Sequence, residues 1–378
     1  MKFSFTRFVL NHLFARVPPV VHEDLSGKHV VVVGANAGIG FEAAKHFASM
    51  NPAKLVLACR SAQRGEAALR KLREETGCKT AELWLLDLAD FASVKAFATR
   101  YEQEGGRLDI LVENAAIVPV PGQKVQMTVD GWESVFQTNN LSTSLLGLLL
   151  LPRMLETAKK HNTLPRLVVV CSDSTFSNLG MERTLLDSAN PLQTFGSEEY
   201  CTPKYIQFPY ILTLRVLTLA CISFYQSLAF TSRITNALHL LVLNILFTRA
   251  LADRLHNKPL IVNSANPGYC YSELRRDLSG LQAVFSWLMD LVLARTAEEG
   301  APSLVWAALG AKGEEDRLRG QYTYLAEVAE PSDYVISKQG REDQDKLWDN
   351  LIDILAGVDP RIRDIVDKQL SSLDVRSY

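Results

Sequence analysis

The apolar run His29-Val30-Val31-Val32 breaks directly into Val33-Gly34-Ala35-Asn36-Ala37-Gly38-Ile39-Gly40 and then into the helix-like stretch Phe41-Glu42-Ala43-Ala44. A buried strand that gives way to closely spaced glycines and then to a helix gathers backbone N–H groups and a positive helix end at one point. That arrangement suits a pyrophosphate. Gly34 permits the tight turn, Gly38 lets the chain approach a ligand without a Cβ, and Gly40 allows helix and strand to pack closely. With Asn36 and Ile39 these glycines form a candidate dinucleotide cradle. Glycine triplets also serve as plain loop punctuation, so the segments that follow must decide.

They alternate. Leu55 to Arg60, Ala81 to Leu86 and Leu108 to Ala116 read as buried strands, and Ala62 to Thr76 and Phe91 to Glu104 carry helical patterns between them. Continuously apolar strands alternating with helices predict an α/β fold, a doubly wound parallel sheet covered on both faces. At 378 residues and 47% hydrophobic content the chain can bury a full core. A net charge of −2 leaves no basic footprint for nucleic acid. The six cysteines, at 59, 78, 171, 201, 221 and 270, show neither paired metal-ligand spacing nor the density of a disulfide scaffold, which fits a reducing, cytoplasmic location.

Seven short motifs make the pattern specific: Gly34 to Gly40, Ala58-Cys59-Arg60-Ser61, Leu86-Asp87-Leu88, Glu113-Asn114-Ala115-Ala116, Phe136-Gln137-Thr138-Asn139-Asn140, Val170-Cys171-Ser172 and Asn266-Pro267-Gly268. In this order they resemble a short-chain dehydrogenase/reductase, near the retinol-dehydrogenase-like and WW-domain-oxidoreductase-like branch and its fungal relatives. The resemblance runs from about residue 25 to 204 and again from about 242 to 350. It implies a Rossmann-type dinucleotide-binding domain over 23–350, preceded by an amphipathic segment 1–22 and followed by a helical tail 351–378. It also implies hydride transfer between a nicotinamide cofactor and a carbonyl or alcohol.

At the end of the second strand an acid would bond the 2′-hydroxyl of NAD, whereas an Arg accommodates the 2′-phosphate of NADP. Arg60 holds that place, with Arg64 one turn on, so NADP(H) is the expected cofactor. The resemblance assigns Asp87 to the adenine and Asn114 to sheet stabilisation beside the cofactor. It assigns Pro267, Gly268 and Cys270 to the loop that meets the nicotinamide amide, with Ser272 on the phosphate side.

The family's proton donor is a Tyr whose pKa a Lys lowers, because an unperturbed Tyr near pKa 10 is a poor base at neutral pH. Ser172 matches the serine that orients the carbonyl, and Asn139 the asparagine that supports the Lys through water. The Tyr-xxx-Lys spacing occurs at Tyr200/Lys204 and at Tyr334/Lys338, and the second falls long after the sheet should be complete. Tyr200 and Lys204 are therefore the nominated pair. Pro203 opposes a shared helix face, however, pushing Thr202 towards extended geometry and an N-cap role. Counting back from Asn244, which resembles the continuation of the catalytic helix, places the pair at Ala237 and Leu241 instead.

Residues 205–241 have no counterpart in the family, and Val216 to Ser232 carries no charge. Three readings stay open: a membrane-inserted hairpin, a buried lid, or translated non-coding sequence that displaces the start of the catalytic helix. The last would leave an NADP-binding pseudoenzyme from a mis-assembled gene. Met1 to Val20, with Lys2, Arg7, Arg16 and no acid, reads either as an interfacial amphipathic helix or as a helix packed on the domain. Membrane contact through 1–20 or 205–241, at the endoplasmic reticulum or a lipid surface, is the alternative to a cytoplasmic location. Apolar residues between Glu273 and Leu293, where relatives place a lid, point to a small hydrophobic substrate. Relatives commonly pair through helices flanking the active site, so a homodimer is expected.

Overall fold

The computed structural model describes residues 10, 12–118, 124–171, 192–193, 231–271, 287 and 290–370, with the side chains of 231–241 excepted. Five largely buried segments form the centre of a sheet: β1 (His29–Val33), β2 (Lys54–Cys59), β4 (Ile110–Glu113), β5 (Arg166–Val170) and β6 (Ile261–Asn266). With β3 (Ala81–Leu85), β7 (Tyr322–Tyr324) and β8 (Glu327–Ala329) they make eight strands in the order β3-β2-β1-β4-β5-β6-β7-β8. All neighbours are parallel except the last pair, β7 with β8. The expected doubly wound sheet is present.

Alternate residues of each strand face opposite layers. Val31, Val33, Leu111, Leu167 and Val169 join one core with α3 (Phe91–Arg100), α4 (Ser142–His161), α5 (Thr231–Arg254) and α7 (Lys338–Val358). Val30, Val32, Leu55, Leu57, Ile110 and Val112 join the other with α1 (Gly38–Ala48), α2 (Ala62–Thr76) and α6 (Ala297–Leu309). Local signals set the helix limits. Ser61 accepts the Arg64 N–H to start α2, and Gly77 ends it at φ 71°. Thr296 and Glu299 form a reciprocal capping box at the start of α6.

The topology places the working edge. Strand order reverses at β1, which pairs with β2 on one side and β4 on the other, and in doubly wound sheets ligands bind beyond the C-terminal ends of the strands at such a point. Gly34 to Gly40 lies at that switch point.

Two expectations change. The boundary placed at residue 350 falls inside α7, where Leu351, Ile352 and Leu355 are buried, so the tail is continuous with the domain. The stretch read as foreign to about Leu241 already enters α5 at Thr231, and that helix runs unbroken through Asn244. Residues 205–230 lie outside the described residues. Among the described residues no helix is long and apolar enough to cross a membrane. α7 packs on α5, and α8 (Arg361–Gln369) packs on α4.

Candidate active site

The glycine turn is built on backbone contact. Gly34 has φ +79°, and a Cβ there would sit 2.8 Å from Ala115 Cα and 2.9 Å from its Cβ. A Cβ on Gly40 would lie 2.3 Å from Asn114 Nδ2 and 2.5 Å from the Gly34 carbonyl. Gly34 is therefore required for close packing against β4 as well as for the turn. Gly38 differs: it has φ +60° and nothing within 4 Å of the Cβ position. Its open side faces where a ligand would approach. The first turn of α1 is capped by Ala37 with no side-chain hydrogen bond and holds no acid, so its N–H groups keep their positive field. A pyrophosphate fits this cradle, and a dinucleotide's phosphates would be held by the backbone from Gly34 to Gly40.

Asn114, just past β4, donates from Nδ2 to the Val33 and Gly34 carbonyls, both at 3.4 Å. It ties the turn to the neighbouring strand. Arg60 is exposed at the end of β2, one residue past the buried Cys59. Burial pushes the Cys59 thiol up to about 12, which leaves it protonated and unreactive at neutral pH. Asp87 follows β3 half-buried; its Oδ1 accepts the Ala89 N–H at 2.9 Å and its own N–H donates to Ser93 Oγ at 2.9 Å. Asn36 and Ile39 are half-buried on the turn.

The loop after β6 meets this turn through α6. A Cβ on Gly300 would stand 2.6 Å from Cys270 Sγ and 3.5 Å from both Ile39 Cγ1 and Pro267 Cβ. That glycine brings three nominated residues together, and nothing in its local context marked it. The loop also spends its own N–H groups. Gly268 N–H donates to Asn266 Oδ1 at 2.8 Å, Tyr269 N–H to His12 Nε2 at 2.9 Å, and Tyr271 N–H to the Arg295 carbonyl at 2.7 Å. The expectation that the backbone after Gly268 is available to an amide thus narrows, since these three groups are committed within the chain.

Asn139 sits on a π-helical turn, Gln137–Leu141, that leads into α4. Such turns recur at functional sites because the widened helix breaks the regular carbonyl ladder. Its Oδ1 accepts the Ile117 N–H and its Nδ2 donates to the Ile117 carbonyl, each at 2.9 Å. One residue on, Asn140 Nδ2 donates to Asn244 Oδ1 at 2.7 Å, and Asn244 Nδ2 donates to the Val170 carbonyl at 3.4 Å. This Asn140–Asn244 pair locks α5 to the π turn and to the strand that delivers Cys171 and Ser172. Asn140 stood in a motif and Asn244 resembled the continuation of the catalytic helix, yet their pairing across 104 positions had no sequence signal.

Ser172, Tyr200, Lys204 and Ser272 lie outside the described residues. The rival spacing does not: Tyr334 donates its hydroxyl to Asp343 Oδ2 at 2.7 Å, and burial with that carboxylate raises its pKa far above the ordinary tyrosine value. Tyr334 is thereby held protonated, its hydroxyl committed to Asp343. Ala237 and Leu241 both fall within α5; neither residue type can donate a proton, and α5 contains no Tyr and no Lys.

Glu113, the last residue of β4, is fully enclosed, and neither carboxylate oxygen has a hydrogen-bond partner. Its oxygens lie 3.5 and 3.9 Å from the Cβ position of Gly147 on α4. Burial alone raises its pKa well above the ordinary glutamate value, which favours the protonated form. Among the described residues no cluster of His, Cys, Asp and Glu could hold a metal.

Residues 28–181 match the family model for short chain dehydrogenases. The short chain dehydrogenase/reductase dmxR8 of Cryptosporiopsis sp. is 30% identical over 359 residues, covering 94% of this chain and 98% of its own length. The short-chain dehydrogenase anuD of Penicillium roqueforti is 31% identical over 364 residues, covering 94% of this chain and 84% of its own. Among solved structures, the Pseudomonas aeruginosa RhlG/NADP active-site complex shares the fold at TM-score 0.53 and 20% identity, over 79% of this chain and 94% of that one. The glycine turn at the switch point, the Asn139 π turn and full-length similarity to fungal relatives place this chain in the short-chain dehydrogenase/reductase family of oxidoreductases.

Proposed function

We propose that the protein is an NADP(H)-dependent reductase or dehydrogenase of a small hydrophobic carbonyl or alcohol. The observation that carries this reading is the cradle itself: Gly34 and Gly40 are closed against Ala115 and Asn114 while Gly38 stays open. Bound there, the nicotinamide cofactor supplies or accepts the hydride. Arg60, exposed at the end of β2, would meet the 2′-phosphate of NADP, and no carboxylate adjoins it in sequence.

Ser172 would donate a hydrogen bond to the substrate oxygen, and Tyr200 would pass its hydroxyl proton to that oxygen in the reductive direction. Lys204, as an ammonium, favours the phenolate and lowers the Tyr pKa. Asn139 keeps its side chain on Ile117 and offers the π turn's backbone as the support for Lys204. The exclusion of Tyr334 and the absence of Tyr and Lys from α5 leave Tyr200/Lys204 as the pair to test.

Fluorescence titration with NADPH and NADH, followed by NADPH consumption across aldehydes, ketones and quinones, tests the proposal. Tight NADPH binding with turnover that Tyr200→Phe abolishes supports it. Turnover that survives Tyr200→Phe removes that residue's role, and tighter NADH binding removes the cofactor assignment.

A further inference from the structure

The segment from Gln137 to Ser142, which is the π turn and the first residue of α4, sends side chains to several places along the C-terminal edge of the sheet. Gln137 Nε2 donates to Asp130 Oδ2 at 2.6 Å, an oxygen that also accepts the Phe91 N–H at 2.8 Å, and Ser142 Oγ donates to the Leu88 carbonyl at 2.6 Å. Both paths lead to the stretch after β3 that begins with Asp87. Asn139 grips Ile117 beyond β4, and Asn140 Nδ2 reaches Asn244 Oδ1 on α5 at 2.7 Å. Asn244 passes the connection on, because its Nδ2 donates to the Val170 carbonyl at the end of β5 at 3.4 Å. One buried turn thus gathers the segments after β3 and β4, the end of β5, and α5.

The Asn140–Asn244 bond has one workable direction. The Val170 carbonyl can only accept, so Asn244 must turn Nδ2 towards it and Oδ1 towards Asn140; a flipped amide would set oxygen on oxygen and nitrogen on nitrogen. Both side chains are buried, and a cavity of about 30 Å³ beside them has Phe136, Leu243, Phe247 and Trp348 in its wall. An amide group left without its partner in such surroundings is expensive, so the arrangement is held firmly. The glycine cradle is closed separately, by Gly34 and Gly40 against Ala115 and Asn114.

We infer that Asn140 and Asn244 act together as a positioning pair for the proposed hydride transfer, holding α5 and the end of β5 at a fixed distance from Asn139. The inference rests on that reading of the reaction. Asn244 spends both ends of its amide on Asn140 and Val170, so the pair acts through what it holds.

The test compares Asn244→Leu, Asn140→Leu and the double variant, with NADPH and a panel of benzaldehyde, cyclohexanone and menadione. Leucine fills the space of the asparagine, whereas alanine would widen the cavity and admit a bridging water. Each single variant should bind NADPH within about twofold of wild type by fluorescence titration, while kcat falls about tenfold or more with KM little changed. The double variant should be no worse than the poorer single, because the pair works as one unit. Asn263→Leu is the control: Asn263 is fully buried on β6 and donates to the Ala307 carbonyl at 2.9 Å, and its loss should leave kcat unchanged whatever it does to the thermal midpoint. Should a leucine variant fail to fold, Asn140→Asp keeps the shape and removes the donor.

Hydrogen exchange supplies a readout that needs no turnover. Residues 166–171 should exchange about tenfold faster or more in Asn244→Leu, with residues 29–33 unchanged. A folded Asn244→Leu variant with wild-type kcat overturns the inference, and so does unchanged exchange at 166–171. Additive losses in the double variant would mean that the two asparagines act separately, which overturns the pairing. A wild-type chain that reduces none of the three carbonyls counts against the proposed reaction instead, and the exchange measurement then decides whether the pair holds the end of β5.

Discussion

The two glycine turns at the C-terminal edge of the sheet, Gly34 to Gly40 after β1 and Asn266 to Cys270 after β6, are held by opposite means. The first is close packing on its immediate neighbours: Gly34 on Ala115, and Gly40 on the Gly34 carbonyl and the Asn114 amide. The second is tethered by side chains from distant segments. Asn266 accepts the Gly268 N–H, His12 accepts the Tyr269 N–H, and the Arg295 guanidinium lies 3.4 Å from the Cβ position of Gly268. Where packing alone builds a turn, glycine spacing announces it. Where borrowed side chains build it, the borrowing becomes visible only after folding.

Substitution at the first turn should break the contrast most sharply. Gly34→Ala meets both the positive φ and the Ala115 contact and should cost roughly 2–5 kcal/mol, read as a fall in thermal midpoint. Gly38→Ala, with open space around it, should cost only about 1 kcal/mol of stability yet weaken NADPH binding more than tenfold. If both variants lost stability equally, the distinction between a packed and an open glycine would fail.

At the second turn, Asn266→Ala removes the acceptor of the Gly268 N–H and the group that donates to the Tyr322 hydroxyl at 2.6 Å. Orphaning both should cost roughly 2–4 kcal/mol by denaturant titration. A neutral outcome would show that His12 and Arg295 hold the loop unaided. Arg60→Glu leaves both turns intact and should shift preference from NADPH towards NADH by about ten- to a hundredfold in kcat/KM, corresponding to roughly 1.5–3 kcal/mol for a charged hydrogen bond.

Glu113 contributes an effect that appears only as pH changes, and its sign follows from linkage. Its folded pKa is raised, so the native chain holds a proton that the unfolded chain releases above the ordinary glutamate range. Stability from this group is fully present below that range and declines by about 1.4 kcal/mol per pH unit above it, until the folded pKa is passed. Glu113→Gln should flatten that segment of the stability–pH curve. An unchanged slope would mean that the carboxyl finds a partner in solution. Asp109, at the other end of the same strand, supplies the contrast. It is equally buried, but it accepts from Arg107 at 2.7 and 2.5 Å and from the His29 N–H at 2.8 Å.

Much of the fold was legible because its signals are local. The valines of β1, the Ser61 and Gly77 limits of α2, and the apolar run of β5 each express a preference within a few residues. β7 and β8 were not read, since three-residue strands carry too little periodicity and exist only against β6. The π turn at Asn139 looks like ordinary helix in sequence, because its extra residue is absorbed by the Ile117 contact. Tyr334/Lys338 repeats the spacing of Tyr200/Lys204, and only the fold shows its hydroxyl committed to Asp343.

By itself the sequence determined the doubly wound class and the glycine cradle, because steric freedom at Gly34, Gly38 and Gly40 is a property of the residues and holds wherever they stand. Tertiary structure alone decided that Gly300 gathers Ile39, Pro267 and Cys270, that Asn140 locks Asn244, and that His12 anchors the loop after β6. Those contacts join positions tens to hundreds of residues apart, and only the packing of helices on both faces of one sheet brings them within reach.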